Sequence, residues 1–247
     1  MVSNKKTDKK NPIALTAGAA VAVVAIGAGG YGLGMARTDG LRDAPENYSI
    51  SEQERETLDK TISSLKLRKS DDDIPEYNRS SLPTNWRDLD GNGCNTRYDI
   101  LVSNFRKYAR YNNETCDIKS GTIFDYYNGK LLKYDTEIDS GGGIQIDHIV
   151  SIGNAWVSGG YKWAENEWIT YINDESVLIP TASSTNRDKS DKDITEWQPA
   201  NTDFLCAYVA KQTEIKKKYS LTITPQEKTK FQEVLKNNCV IDKNPNS

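Results

Sequence analysis

The N-terminus joins positive charge to a long apolar segment. Four lysines between positions 5 and 10 precede an apolar run from Ile13 to Ala36 that contains no charged residue. About 20 apolar residues span a bilayer, whereas the apolar part of a cleaved export signal usually needs only about 7 to 15. The length therefore favours an uncleaved, single-pass membrane anchor with its basic end inside. Small residues up to Met35 and Ala36 keep a cleaved signal, and thus a secreted chain, as the alternative.

The cysteines agree with export. The chain has 4 cysteines, no C-x-x-C pair, and a single histidine, which could not complete a zinc set. Disulfide bonds are therefore predicted, as is usual outside the cytosol. Four cysteines allow three connectivities, and we choose the one in which each bridge closes a local loop, Cys94 with Cys116 and Cys206 with Cys239. Four unpaired buried thiols are the alternative.

Composition divides the chain and limits its partners. The predicted units are a signal anchor or signal peptide (1–36), a tether (37–50), an amphipathic helix with a loop (51–83) and one catalytic-sized domain (84–247). Leu58, Ile62 and Leu65 recur at helical spacing in the third unit. The net charge of -3 gives no global basic field, so affinity for a polyanion must come from local patches or a metal.

Residues 88–99 follow the order of a calcium loop. Oxygen-bearing side chains occupy the first, third, fifth and twelfth places, and glycine the sixth; these side chains are Asp88, Asp90, Asn92 and Asp99. The same letters also describe a tight Asp/Gly turn, followed by a capping-box start of a helix at Thr96. A structural Ca²⁺ and a metal-free turn both remain open.

Several segments predict scaffold elements. Asn128-Gly129 lies between two apolar pairs and indicates a two-residue β-hairpin. Residues 203–219 form a predicted helix whose C-terminal lysines, Lys216 to Lys218, complement its dipole. Thr224 with Glu227 forms a capping box that opens another helix.

Three tryptophans crowd one stretch of the chain. Trp156, Trp163 and Trp168 belong to short helices predicted over 154–163 and 166–171. Such rings could stack nucleic-acid bases, but tryptophans near one another more often form a core. We interpret them as core.

The single histidine stands where a strand ends. The alternating segment Ile144 to Ile146 predicts a strand that exposes Asp147 and His148 together at its end. Residues 177–179 predict a second strand closed by a proline, and Ser183 or Ser184 can cap a helix with Asn186 in its first turn. Strand, strand and helix, with Asp-His in front and Asn behind, is the layout of a ββα-metal site.

These motifs carry a family resemblance. D-H-I-V, N-D-E-S-V-L and T-N-R-D-K-S-D, between Asp147 and Asp191, resemble the HNH nuclease motif of RNA-guided CRISPR nucleases and of an exported bacterial family, domain of unknown function 1524. W-R-D-L-D-G-N-G-C-N-T-R-Y-D-I-L, W-Q-P and C-A-Y-V-A extend the second resemblance over 86–239. The implied fold class is α+β, a ββα-metal (HNH) core with added helices, a β-hairpin, two disulfides and an N-terminal transmembrane or signal helix.

The resemblance also implies residue roles. His148 would be the general base that activates water, Asp147 and Asn186 the ligands of Mg²⁺ or Mn²⁺, and Asn173 a support for the loop. A phosphodiester is a poor electrophile, so a hard cation that neutralises charge in the transition state is needed. Imidazole can take a proton from water near neutral pH.

Basic residues after Asn186 are candidate phosphate contacts. They are Arg187, Lys189 and Lys192, and a solvated helix face is the alternative interpretation. Arg97 matches a family position, for which we expect a structural ion pair. Two departures from the family stand out: the final helix has no histidine, and Ser151 replaces a proline.

The sequence thus predicts an extracytoplasmic, metal-dependent endonuclease of low sequence preference that acts on DNA, with RNA as an alternative substrate. Nothing in it resembles a base-reading module or a small-molecule cofactor site. The alternative is a membrane-anchored surface binding protein that keeps the HNH fold without turnover. The strandedness of the substrate and the oligomeric state stay open.

Overall fold

A computed structural model describes residues 49–68, 70, 73–106, 109–136 and 143–241. The predicted anchor and nearly all of the predicted tether lie outside these residues. Within them, no helix has the length and apolar character needed to cross a bilayer.

The strands form three small sheets. In one, β1 pairs in parallel with β7, and the other two sheets are antiparallel, with orders β2-β3-β4 and β5-β6. The strands are β1 (Ser49–Ile50), β2 (Arg110–Asn112), β3 (Asp117–Asp125), β4 (Lys130–Asp135), β5 (Ile144–His148), β6 (Leu178–Ala182) and β7 (Val240–Ile241).

Helices make up the rest of the regular structure. They are α1 (Glu52–Ser64), α2 (Thr96–Asn104), α3 (Ile152–Val157), α4 (Glu165–Ile172), α5 (Ser183–Lys189), α6 (Leu205–Lys218) and α7 (Pro225–Asn237), with short 3-10 turns at 79–81, 160–162, 175–177 and 202–204. This mixture of helices and strands agrees with the predicted α+β class.

Helix α1 shares the core of the following domain. It begins at a capping box in which Ser51 accepts from the Glu54 amide while the Glu54 carboxylate accepts from the Ser51 amide. Leu58 and Ile62 are buried where α1 packs on α6 and α7. The predicted unit 51–83 therefore contributes to the same hydrophobic core as the unit that follows.

Helices α6 and α7 are joined covalently and by charge. The predicted disulfides Cys206–Cys239 and Cys94–Cys116 are both confirmed, as is the capping box at Thr224. Lys216 lies in the last turn of α6, as predicted, and its side chain is fully buried there, with its Nζ 3.0 Å from Glu227 Oε1.

The hairpin is longer than predicted. Asp125 pairs with Lys130, so four residues rather than two connect β3 and β4. The reason is local hydrogen bonding: the Asp125 carbonyl accepts from the Gly129 amide at 2.8 Å, and its carboxylate accepts from the Tyr127 amide and the Asn128 side chain. Gly129 has φ +66°, which glycine adopts without strain.

Strand β5 is followed along the chain by its partner β6 and then by helix α5, in the predicted order. Pro180 lies inside β6, opposite Ile146, rather than closing the strand; with a neighbour on only one side, β6 can leave the missing N–H out of the ladder. Helix α5 has Ala182 at its N-cap and no side-chain cap. The predicted serine cap is wrong, because the Ser183 hydroxyl donates to the Gly143 carbonyl.

The tryptophans lie in or against the core, as predicted. Trp168 is buried, and Trp156 and Trp163 are partly buried and contact its ring. The helix predicted over 154–163 is shorter, since α3 ends at Val157 and Gly159 has φ +127°.

Candidate functional site

Strand β5 carries the site residues on its two sides. Successive side chains of a strand alternate between faces. Gln145 and Asp147 face helix α5, where they contact Asn186 and Lys189. His148 faces the end of helix α4, where it contacts Ile172. The two adjacent side chains, Asp147 and His148, therefore contact different helices, α5 and α4.

Asp147 lies in a buried ion pair. Its carboxylate oxygens are 3.1 Å and 2.9 Å from the Lys189 Nζ, and the Tyr127 hydroxyl donates to Oδ2 at 2.7 Å. Burial raises the pKa of Asp147, and the Lys189 ammonium opposes that rise. Lys189 also donates to the His148 carbonyl at 2.9 Å.

Two expectations about these residues are wrong. Lys189 is fully buried, so it cannot contact a substrate phosphate from this position; the carboxylate of Asp147 holds it in the interior. Asp147 and His148 were expected to be exposed together, but they are only 5% and 7% exposed, because α5, α4 and neighbouring aromatic rings pack around the end of β5.

The imidazole of His148 has a defined orientation. Its Nε2 is 2.9 Å from the Ile172 carbonyl. Since a carbonyl can only accept, Nε2 carries the proton and Nδ1 keeps its lone pair. The rings of Trp86 and Tyr171 lie nearly parallel to the imidazole, at interplanar angles of 10° and 22°.

The same surroundings keep this ring neutral. Burial lowers the pKa of His148 to about 3, the hydrogen bond with Ile172 opposes that shift, and the positive charges of Lys189 and Arg79 add to it. At neutral pH the imidazole is therefore uncharged.

Asn173 binds the segment that precedes the calcium-like loop. Its Oδ1 accepts from the Arg87 amide at 2.7 Å, and its Nδ2 donates to the Ile169 carbonyl and, more weakly, to the Asn85 carbonyl. Asn173 thus connects the end of α4 to residues 85–87, a partner that the sequence did not identify.

The side chain of Asn186 contacts Gln145, which lies two residues before Asp147 in β5. Its Nδ2 donates to Gln145 Oε1 at 2.8 Å, and the convergence of residues 147, 148 and 186 around one metal ion stays a prediction. Asn186 and Lys189 are three residues apart on α5 and face the same side of β5.

The oxygen donors fit a hard divalent cation in type. Asp147 and Asn186 supply a carboxylate and an amide oxygen, as Mg²⁺ prefers. Among the described residues, no three His, Cys, Asp or Glu side chains form a group that could hold a metal ion. The ammonium of Lys189 already neutralises Asp147, so a metal ion would have to take the place of Lys189.

The remaining basic candidates are peripheral. Arg187 is exposed, and Lys192 is exposed and bound to the carbonyl and carboxylate of Asp188. Half-buried Arg97 donates to the Ile144 carbonyl at 3.2 Å. The ion pair expected for Arg97 is not found in the described part of the chain.

The calcium-like loop has the contacts of a tight turn. Asp88 accepts from the Gly91 and Gly93 amides, and Asn92 donates to Asp90 and Asp99. Helix α2 starts from Asn95 as its N-cap, one residue before the predicted capping box. Binding of Ca²⁺ stays a prediction.

Three residues of the site were missed by sequence reasoning. Tyr127 belongs to the hairpin turn, and nothing in its local pattern indicates Asp147 as its partner. Trp86 belongs to a motif that carried the family resemblance, but no spacing rule places it against His148. Arg79 lies in a segment that was predicted only as a loop.

The chain is similar in sequence to a nuclease family and to a secreted fungal protein. The family described as "GmrSD restriction endonucleases, C-terminal domain" matches residues 92–234. A protein from the fungus Arthroderma benhamiae, described as "Uncharacterized secreted protein", is 29% identical over 165 residues, which are 66% of this chain and 76% of the relative. No solved structure matches the chain. The predicted bacterial grouping is thus not reproduced by this fungal relative.

Proposed function

The chain belongs to the family of GmrSD restriction endonuclease C-terminal domains, and from this we propose that it is an extracytoplasmic nuclease that hydrolyses phosphodiester bonds. DNA is the expected substrate, with RNA as a further one. The observation that carries the proposal is the orientation of His148, whose protonated Nε2 is tied to a carbonyl while Nδ1 keeps a lone pair. The secreted relative supports an extracellular location.

His148 would act as the general base. Its Nδ1 takes a proton from a water molecule, the water oxygen bonds to phosphorus, and the bond from phosphorus to the leaving oxygen breaks; the leaving oxygen keeps the electron pair and takes a proton from solvent. A base with a pKa of about 3 is weak. A bound phosphodiester anion stabilises the imidazolium and so raises this pKa towards the working range.

Asp147 and Asn186 would hold Mg²⁺ or Mn²⁺, with waters and the substrate phosphate as further ligands. When bound, the metal ion neutralises charge on the phosphate in the transition state. Because Lys189 lies within 3.1 Å of both Asp147 oxygens, the metal ion and this ammonium compete for one carboxylate. Lys189 therefore regulates how strongly the site binds metal.

Exposed basic residues would hold the substrate backbone. Arg187 and Lys192 remain candidates for phosphate contacts, and exposed Arg79, whose charge acts on His148, joins them. Contacts to phosphate carry no sequence information, so low sequence specificity is expected. Binding should weaken as the salt concentration rises.

One observation favours a second function, a surface binding protein without turnover. The buried pair of Asp147 with Lys189 needs no metal to be neutral, and the chain has 1 histidine where related sites often use a further one as a ligand. In that case the fold would be retained while the metal site is lost.

A plasmid-nicking assay separates the two functions. Purified wild type should nick plasmid DNA with Mg²⁺ or Mn²⁺ and not with EDTA. His148→Ala should lose at least about 100-fold in rate, since general-base catalysis contributes about 10² to 10⁴, and free imidazole should restore part of it. Lys236→Ala, an exposed substitution on α7, is the matched control.

The same assay can contradict the proposal. Equal nicking by wild type and His148→Ala would identify a contaminating nuclease. No nicking under any metal condition would favour the surface binding protein.

A further inference from the structure

A segment outside the matched family region lies against the catalytic candidate. We call residues 74–87 the cover segment. Its Trp86 is half-buried and stacks with His148 at 6.0 Å between ring centroids. The family match begins only at residue 92, so this contact comes from a part of the chain that the match does not include.

The end of the cover segment next to Trp86 is held by hydrogen bonds. The Arg87 amide donates to Asn173 Oδ1 at 2.7 Å. The Arg87 carbonyl accepts from the amide and the hydroxyl of Thr96, at 2.8 Å and 2.9 Å. The backbone next to Trp86 is therefore held in place by Asn173 and by the start of α2, and these contacts determine where the Trp86 ring lies.

The other end is held to helix α3, which follows β5 in the chain. The Trp156 Nε1 donates to the Pro75 carbonyl at 2.7 Å, and the rings of Tyr77 and Trp156 are 6.1 Å apart. The cover segment thus spans from α3 to the end of α4, the two elements that flank His148 in the fold.

We propose that Trp86 is a positioning residue for His148 and that Asn173 acts through it by holding the cover segment. The inference rests on the proposed nuclease function. Stacking fixes the plane of the imidazole, and the hydrogen bond to Ile172 fixes its rotation within that plane. Together they aim Nδ1 in one direction, and a correctly aimed base accounts for a large part of a catalytic rate. The part of the chain needed for full activity would then include the cover segment.

The single histidine makes the test direct. In protein labelled with ¹⁵N-histidine, NMR reports one imidazole, its tautomer and the shift of its ring protons. Wild type should show the Nε2–H tautomer, with ring protons moved by the current of the Trp86 ring. Trp86→Leu should lose that ring-current shift and populate both tautomers, whereas Trp86→Phe should keep the tautomer.

Activity provides the second measurement. Trp86→Leu should lower kcat about 10- to 100-fold, the scale of a misplaced catalytic group, with little change in KM, and Trp86→Phe should recover most of the loss. Asn173→Ala should change the His148 signals and kcat in the same direction, because it releases the Arg87 amide without removing a ring. Phe105→Leu is the matched control: Phe105 is half-buried, and its ring contacts among the described residues are with Tyr111 and Tyr134.

Unchanged His148 signals in both Trp86→Leu and Asn173→Ala would overturn the inference. So would changed signals with an unchanged kcat. If the wild type does not cleave nucleic acid, the proposed function fails, while the NMR measurement still decides whether Trp86 orients the imidazole. Should Trp86→Leu not fold by circular dichroism, Asn173→Ala and Trp86→Phe carry the same test.

Discussion

At the scale of the residue, the buried pair of Asp147 with Lys189 is the main departure from what the sequence implied. Two charges without solvent lose much of their hydration energy, and their attraction repays it only while both are present. Lys189 thus supplies the positive charge beside Asp147 that a metal ion would supply there in the proposed reaction.

We predict that Lys189→Met lowers the free energy of unfolding by about 3 to 5 kcal/mol, because it leaves a buried carboxylate without its charged partner. Urea denaturation measures this. Mg²⁺ should then stabilise Lys189→Met more than the wild type, since the variant has no ammonium to compete for Asp147.

Lys192→Met is the matched control, because Lys192 is an exposed lysine whose Nζ is 3.6 Å from Asp188 Oδ1, and such pairs are worth about 0 to 1 kcal/mol. Similar losses in the two variants, or no extra effect of Mg²⁺, would contradict the assignment.

At the scale of the element, a second buried pair ties helices together. Lys216 on α6 and Glu227 on α7 are both fully buried, and Lys216 also donates to Asn154 Oδ1 on α3 at 3.0 Å. Glu227 in turn accepts from the Thr224 amide in the capping box of α7. The Glu227 carboxylate therefore both caps the start of α7 and pairs that helix with α6.

We predict that Glu227→Gln lowers the free energy of unfolding by about 3 to 5 kcal/mol. Glutamine can still accept from the Thr224 amide, since a capping box tolerates Glu or Gln, so the change removes the charge and keeps the cap. The measurement is again urea denaturation.

Glu233→Gln on the same helix is the control, because Glu233 forms an exposed pair with Lys230. We expect that variant to change stability by less than about 1 kcal/mol. Equal effects in the two glutamine variants would refute a role for the buried charge.

Local sequence patterns predicted the helices and strands better than they predicted the tertiary contacts of the side chains. The capping box at Thr224 and the alternation of apolar and polar residues before His148 depend only on residues close in sequence. The start of α7 and the presence of β5 could therefore be predicted from the sequence. The burial of Lys216 did not, because Lys216, Lys217 and Lys218 are identical in type, and only the position of α7 decides which of them is enclosed. The partners of Asp147 come from residues 127 and 189, which no local pattern connects.

At the scale of the whole molecule, the two ends of the described chain lie together. Strand β1 pairs with β7, α1 packs on α6 and α7, and the Cys206–Cys239 disulfide holds the residue before β7 to α6. These contacts join the segment nearest the predicted membrane anchor to the C-terminal helices. They place α1 in the same hydrophobic core as those helices.

We predict that Cys206→Ala with Cys239→Ala lowers the free energy of unfolding by about 2 to 4 kcal/mol and speeds amide hydrogen exchange in α1. The exchange should rise because β7, the partner of β1, is no longer held to α6.

The paired control is Cys94→Ala with Cys116→Ala, which opens a loop of similar length, 22 rather than 33 residues of separation. It should cost a similar free energy without affecting exchange in α1. Faster exchange in α1 in both double variants would contradict the link.

The parallel pairing of β1 with β7 also determines how the described chain would resist a force applied to its two ends. Residue 49 opens β1 and residue 241 closes β7, and the two strands run in the same direction. A pull between these ends therefore acts along the strands in shear, so the hydrogen bonds between them share the force instead of opening one after another. A force applied to both ends of the described chain would meet that resistance first.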